Sequence, residues 1–128
     1  LLVAVPHPAV DATRAAAVGL TTSPQPLHGP VDVELRTHTA APARLVLGDE
    51  SGRIATVTVD SQQVVVEVAD GAWSAPCRDA VVRVVVDGPV LEVFTRTGIL
   101  ATPIRGTGRL RHMHVDGSTD AVAHPLDP

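Results

Sequence analysis

At 128 residues, the chain is long enough to bury one sizeable core and too short for two ordinary domains. Hydrophobic residues make up 45% and charged residues 19%, with a net charge of −4, which argues against disorder and against a basic nucleic-acid surface, so no nucleic acid partner is expected. Cys77 is the only cysteine, which excludes an internal disulfide or a multi-thiolate metal site and leaves the compartment, cytoplasmic or secreted, open.

No apolar run approaches the roughly 20 residues that span a bilayer, and residues 1–5 lack the charged region and the length of a signal peptide, so no membrane partner is expected. A start at Leu1 rather than Met reads as a piece of something larger. The first thirty residues hold five of the eleven prolines, at positions 6, 8, 24, 26 and 30. Between them Asp11 is placed to cap a short helical turn over residues 12–18, where the alanines and Arg14 favour helix. Residues 1–30 read as a linker that packs on something, 31–118 as the folded domain and 119–128 as a C-terminal tail.

From Val31 the chain alternates with period two. Val31, Val33, Leu35 and Thr37 are expected on a dry face, and Asp32, Glu34, Arg36 and His38 on a wet one. Further β-rich runs follow at residues 43–47, 53–60, 63–69, 80–86, 90–95, 99–104 and 109–115, about ten residues apart. Turn formers separate them: Gly48 to Gly52 with Asp49 and Ser51, Asp60-Ser61, Asp70-Gly71, Asp87-Gly88-Pro89, Thr97-Gly98 and Gly106-Thr107-Gly108. No helix-period stretch of useful length follows residue 30, and parallel crossovers would need a dozen or more residues each, so the pairing is antiparallel. The economical result is an all-β, two-sheet antiparallel β-sandwich of the jelly-roll or concanavalin-like kind, preceded by the proline-rich linker.

Four segments carry a resemblance. Val84-Val85-Val86-Asp87-Gly88-Pro89-Val90-Leu91-Glu92-Val93-Phe94 is similar to a late hairpin of the C-terminal β-sandwich of glycoside hydrolase family 32, and residues 99–104 to the strand after it. Leu27-His28-Gly29-Pro30-Val31 resembles the entry into the first sandwich strand of that domain. Pro6-His7-Pro8-Ala9-Val10 resembles the linker leaving its propeller. Gly88-Pro89 and Thr95-Arg96-Thr97 depart from the family's usual polar residues. The resemblance implies a non-catalytic module attached to the catalytic β-propeller domain of a fructan- or sucrose-cleaving, β-fructofuranosidase-like enzyme.

Retaining glycosidases need two carboxylates ~5–5.5 Å apart across the scissile bond. The resemblance places these in the propeller: its Asn-Asp-Pro-Asn-like run is absent here, and Cys77 follows Pro76 rather than a Glu. Arg78-Asp79 matches the start of the family's Arg-Asp-Pro motif, but Ala80 replaces the proline. Asp87 and Glu92 read as a turn former and a polar contact on a sheet face or with the missing domain, so no catalytic residue is assigned. His112 and His114 share a strand face, as a metal site would want, but without a third ligand, while His7, His28, His38 and His124 read as surface residues. No metal or cofactor is therefore assigned, and the glycines around Thr107 read as a wide turn rather than a nucleotide loop.

Trp73 and Phe94 are the only aromatic residues. That scarcity counts against an independent sugar-binding module, because sugar sites present flat aromatic faces. Trp73 and Glu92 are the candidate interdomain or carbohydrate contacts, and Cys77 is expected to be a buried apolar residue. Three functions fit: a module packed on a propeller, a lectin-like domain binding carbohydrate near residues 48–52 or Trp73, and a homodimerisation module.

Overall fold

A computed structural model describes residues 17–27, 29–36, 41–104, 111–116 and 120–126. They form twelve strands: β1 (Val18–Gly19), β2 (Gln25–Leu27), β3 (Val31–Arg36), β4 (Ala43–Asp49), β5 (Gly52–Val59), β6 (Gln63–Val68), β7 (Gly71–Pro76), β8 (Val81–Asp87), β9 (Val90–Thr95), β10 (Gly98–Pro103), β11 (Arg111–Val115) and β12 (Asp120–Pro125). All pair antiparallel, in two six-stranded sheets of spatial order β1-β12-β3-β8-β9-β10 and β2-β11-β4-β5-β6-β7. The expected β-sandwich is the fold, and no helix occurs among the described residues.

The core follows from period-two alternation. Val33, Leu35, Val82, Val84, Leu91 and Val93 project inward from the first sheet and meet Leu45, Leu47, Val57, Val59, Val64, Val66 and Met113 of the second. Each fully buried valine or leucine contributes about 1.5–3 kcal/mol relative to its exposed state. Hairpin chemistry fixes the register. Asp60 Oδ1 accepts the backbone N–H groups of Gln62 and Gln63 at 2.7 and 2.8 Å, which closes the β5–β6 turn. Between β8 and β9 the turn is Gly88-Pro89, with Asp87 opposite Val90. Gly88 has φ 54° and the proline ring fixes a negative φ after it, the sign order of a type II′ hairpin. The turn is set by Gly88; the Asp87 carboxylate makes no hydrogen bond among the described residues.

Several boundaries differ from those read in the sequence. Residues 120–125, assigned to the tail, form β12, which pairs with β3 throughout its length. Alanines and a terminal proline give this stretch little intrinsic β character, and the ladder of β3 supplies the missing drive. β7 was hidden likewise by its Gly, Ala, Ser and Pro content. Residues 18–27, assigned to the linker, join both sheets: Leu20 N–H donates to Ala121 of the first and Val115 N–H of the second donates to Thr21, at 2.9 and 3.0 Å. Leu20 is buried in the core there. The helical turn expected over 12–18 lies outside the described residues as far as 16, and Val18 is in a strand.

Asp32, expected on a wet face, is 0% exposed. β3 is an interior strand, so Asp32 is flanked by Val85 on β8 and His124 on β12, and its carboxylate accepts from Arg83. Thr37, His38 and residues 106–108 lie outside the described residues.

Candidate interdomain contact surface

β9 presents Glu92 on the outer face of the first sheet, because its neighbours Leu91 and Val93 are both inward and buried. Register places Val85 and Ala101 directly beside it, with Val90 and Phe94 two residues away on the same side. Phe94 is in turn flanked by Ile99 on β10 and Arg83 on β8. The β9–β10 half of this face is therefore apolar around one half-buried carboxylate. Glu92 has no hydrogen bond or ion pair among the described residues.

The β8–β3–β12 half is charged, and at its centre the charges answer one another. Arg83 reaches Asp32 through two guanidinium nitrogens, with Nε 3.4 Å from Oδ1, and lies opposite Glu34. His124, read as an ordinary surface residue, places Nε2 3.7 Å from Glu34 Oε1 with its side chain largely covered.

The sandwich has two long sides, and residues 18–27 strap one of them shut. On the opposite side, between β6–β7 and β9–β10, a cavity of about 350 Å³ opens among Val64, Ala75, Pro76, Thr95, Leu100 and Ile99. Thr97 Oγ1 donates to the Pro76 carbonyl across its end, and Asp79 accepts the Arg96 N–H at 2.7 Å. Asp79 thus tethers the β7–β8 crossover to the β9–β10 turn, a structural use of the second residue of Arg78-Asp79. Ile99, 55% exposed, lines this mouth and also neighbours Phe94, so the apolar surface runs from the mouth onto the outer face without a break.

Trp73 lies opposite the fully buried Val66, so it leaves β7 on the inner side. β7 is the last strand of its sheet, however, and the ring stays 42% exposed, near Gly71, where a Cβ would lie 3.8 Å from Cη2. Trp73 and Glu92 are consequently on different sheets and on different faces; the structure does not bring them into one site. Phe94, Ile99 and Val90 were missed as contact residues; the period-two spacing of Val90 and Phe94 about Glu92 carried a signal, whereas Ile99 joins them only through the pairing of β10 with β9.

The remaining sequence candidates separate clearly. His112 and His114 share the outer face of the second sheet, but His114 Nε2 lies 3.8 Å from Asp116 Oδ1, and the His112 ring fills the space over Gly48, where a Cβ would come within 2.5 Å of it. Among the described residues no group of three or more His, Cys, Asp or Glu is placed to hold a metal ion. Asp87 and Glu92 are diagonal neighbours on an open sheet face. Cys77 is a buried free thiol, and burial above all pushes its pKa up, with the charges of Asp79 and Asp60 adding to the rise and the Asp79 backbone offsetting part of it.

No protein-family model matches the sequence, and no curated protein does. Solved structures do. The GH32 β-fructofuranosidase BmSUC1 of Bombyx mori, and a mutant of it in complex with sucrose, each align at a TM-score of 0.75 and 18% identity, over 97% of this chain and 30% of theirs. A toad ovary galectin in complex with thio-digalactose aligns at 0.45 and 12% identity, over 88% of this chain and 93% of that one, too loose a likeness to bear on function. The resemblance read from the sequence thus has its counterpart in the fold, and the chain spans under a third of the length of the fructofuranosidase it matches.

Proposed function

We propose that this chain is the non-catalytic β-sandwich module of a GH32-type enzyme that cleaves fructan or sucrose, and that it docks on and completes the propeller carrying the catalytic carboxylates. The carrying observation is that 97% of the chain aligns with 30% of a β-fructofuranosidase at a TM-score of 0.75. The continuous apolar surface around Ile99 supports it, since exposed apolar patches of this kind mark contact sites. In this reading Glu92 and Trp73 are interdomain contacts, and no residue of this chain performs the hydrolysis.

The test has two parts. Coding sequence upstream of Leu1 should specify a propeller with an Asn-Asp-Pro run followed by a Glu-Cys pair. The 128-residue chain alone should leave sucrose, inulin and levan intact, whereas turnover abolished by Glu92→Gln would refute the reading.

A second reading, carbohydrate capture, is favoured by the half-exposed indole of Trp73. A change of Trp73 fluorescence on titration with fructo-oligosaccharide would support it. Light scattering showing a dimer with no such change would point instead to self-association.

A further inference from the structure

We propose that Glu92 is the electrostatic anchor of the docking surface, and that the partner domain seats an arginine or lysine on its carboxylate within an apolar ring formed by Val90, Phe94, Ala101 and Ile99. The inference rests on the reading that this module docks on a catalytic domain of its own polypeptide, and adds the chemistry the partner must present.

Three observations lead to it. The ring is apolar: Val85 and Ala101 flank Glu92 in register, Val90 and Phe94 lie above and below it on β9, and Ile99 beside Phe94 is more than half exposed. A partner covering these residues must also cover Glu92. The carboxylate has no partner among the described residues, so covering it with apolar groups would strand a charge out of water, whereas a cation would be strongly favoured there. The cation within diagonal reach, Arg83, is turned away and held by Asp32, itself wholly buried. The charge must come from the other side of the interface. Arginine suits it best, because a planar guanidinium can stack on Phe94 while bonding the carboxylate. A second copy of this chain does not meet the requirement at a twofold axis through the patch, where Glu92 would face Glu92.

The experiment uses the intact polypeptide and compares Glu92→Lys with Asp87→Lys, the same charge change one diagonal step away at an exposed position outside the ring. The readouts are limited proteolysis within residues 1–16 and calorimetric coupling of the two domain transitions. Glu92→Lys should speed cleavage at least about 30-fold, the loss expected for removing one partner of a covered charge pair, and should separate the transitions, while Asp87→Lys leaves both near wild type. Glu92→Gln should give an intermediate effect. Melting of each variant in the 128-residue chain checks that the sandwich itself is intact; if Glu92→Lys fails there, Glu92→Gln against Asp87→Asn decides.

Equal effects of the two lysine substitutions, or none, would overturn the proposal. So would a dimer of the 128-residue chain that Glu92→Lys dissociates. Independent melting of the domains in the wild-type polypeptide would instead defeat the docking reading on which this rests.

Discussion

Removing the guanidinium of Arg83 should destabilise the sandwich more than removing the carboxylate that it holds. Asp32 is 0% exposed and cannot reach water, whereas the Arg83 side chain is 20% exposed and sits opposite Glu34, so a freed guanidinium has somewhere to turn. Arg83→Met leaves a buried carboxylate without its cation and should cost about 3–5 kcal/mol, the range for breaking one side of a buried pair. At about 3–6 °C per kcal/mol for a chain of this length, the melting temperature falls by roughly 10–30 °C. Asp32→Leu should cost less, about 1–3 kcal/mol, because only hydrogen bonds are lost and the remaining charge can hydrate. The double variant should recover most of the loss, since two apolar residues replace a pair whose desolvation offsets much of its attraction. Urea unfolding at neutral pH, followed by far-UV circular dichroism, gives the three values, and repetition at high salt should change the Arg83→Met value little because the pair is shielded from ions. An Arg83→Met cost below about 1 kcal/mol, or one smaller than that of Asp32→Leu, would refute the reasoning.

Asp60 is held below its ordinary pKa of 3.8 chiefly by the Gln62 and Gln63 backbone N–H groups. Its contribution is complete at neutral pH and is lost as pH falls through the range below 3.8, so Asp60→Asn should lower the melting temperature at pH 7 and converge on wild type in strong acid. Cys77, buried and with its thiol pKa raised, should react with a disulfide reagent at pH 8 at least about 10-fold slower than in urea-unfolded protein. Gly88→Ala should cost about 1–2 kcal/mol by melting, because φ 54° strains any Cβ, and Gly88→Asn should cost less. Ile99→Lys should leave the melting temperature unchanged yet reduce binding of a hydrophobic dye, given how little of Ile99 is covered.

The strands legible in the sequence were those rich in β-branched or large apolar residues between clear turn formers: β3, β4, β5, β6, β8, β9, β10 and β11 all fall within two residues of their expected bounds. β7 and β12 were not, because Gly-Ala-Trp-Ser-Ala-Pro and Asp-Ala-Val-Ala-His-Pro carry almost no local preference and become strands only through a neighbour's ladder. The strap over residues 18–27 was invisible for a related reason: each of its strands is two or three residues long, and their stability comes from bonds to both sheets at once. At the candidate site, Glu92 was legible as an outward residue by alternation alone. Its apolar surroundings were not, since Val85, Ala101 and Ile99 reach it only through the register of three strands. Asp32 misled for the opposite reason, as alternation gives the face a residue is on, while pairing partners decide whether that face is wet.

The outer face of the first sheet divides by how fully its polar groups are satisfied. Asp32 with Arg83, which also lies opposite Glu34, forms a half that gains little from a partner, because a covering surface would have to compete with charges that already answer one another. The β9–β10 half is the converse: apolar area that water penalises and one carboxylate with nothing described to answer it. If the module docks as proposed, affinity for the other domain would concentrate on β9 and β10, where the continuous apolar surface turns the corner at Ile99 into the open mouth. The opposite side, already shut by the burial of Leu20 and by the backbone bonds of Leu20 and Thr21 to the two sheets, offers no comparable gain, so under the proposed reading the asymmetry between the two sides sets the direction from which a partner would approach.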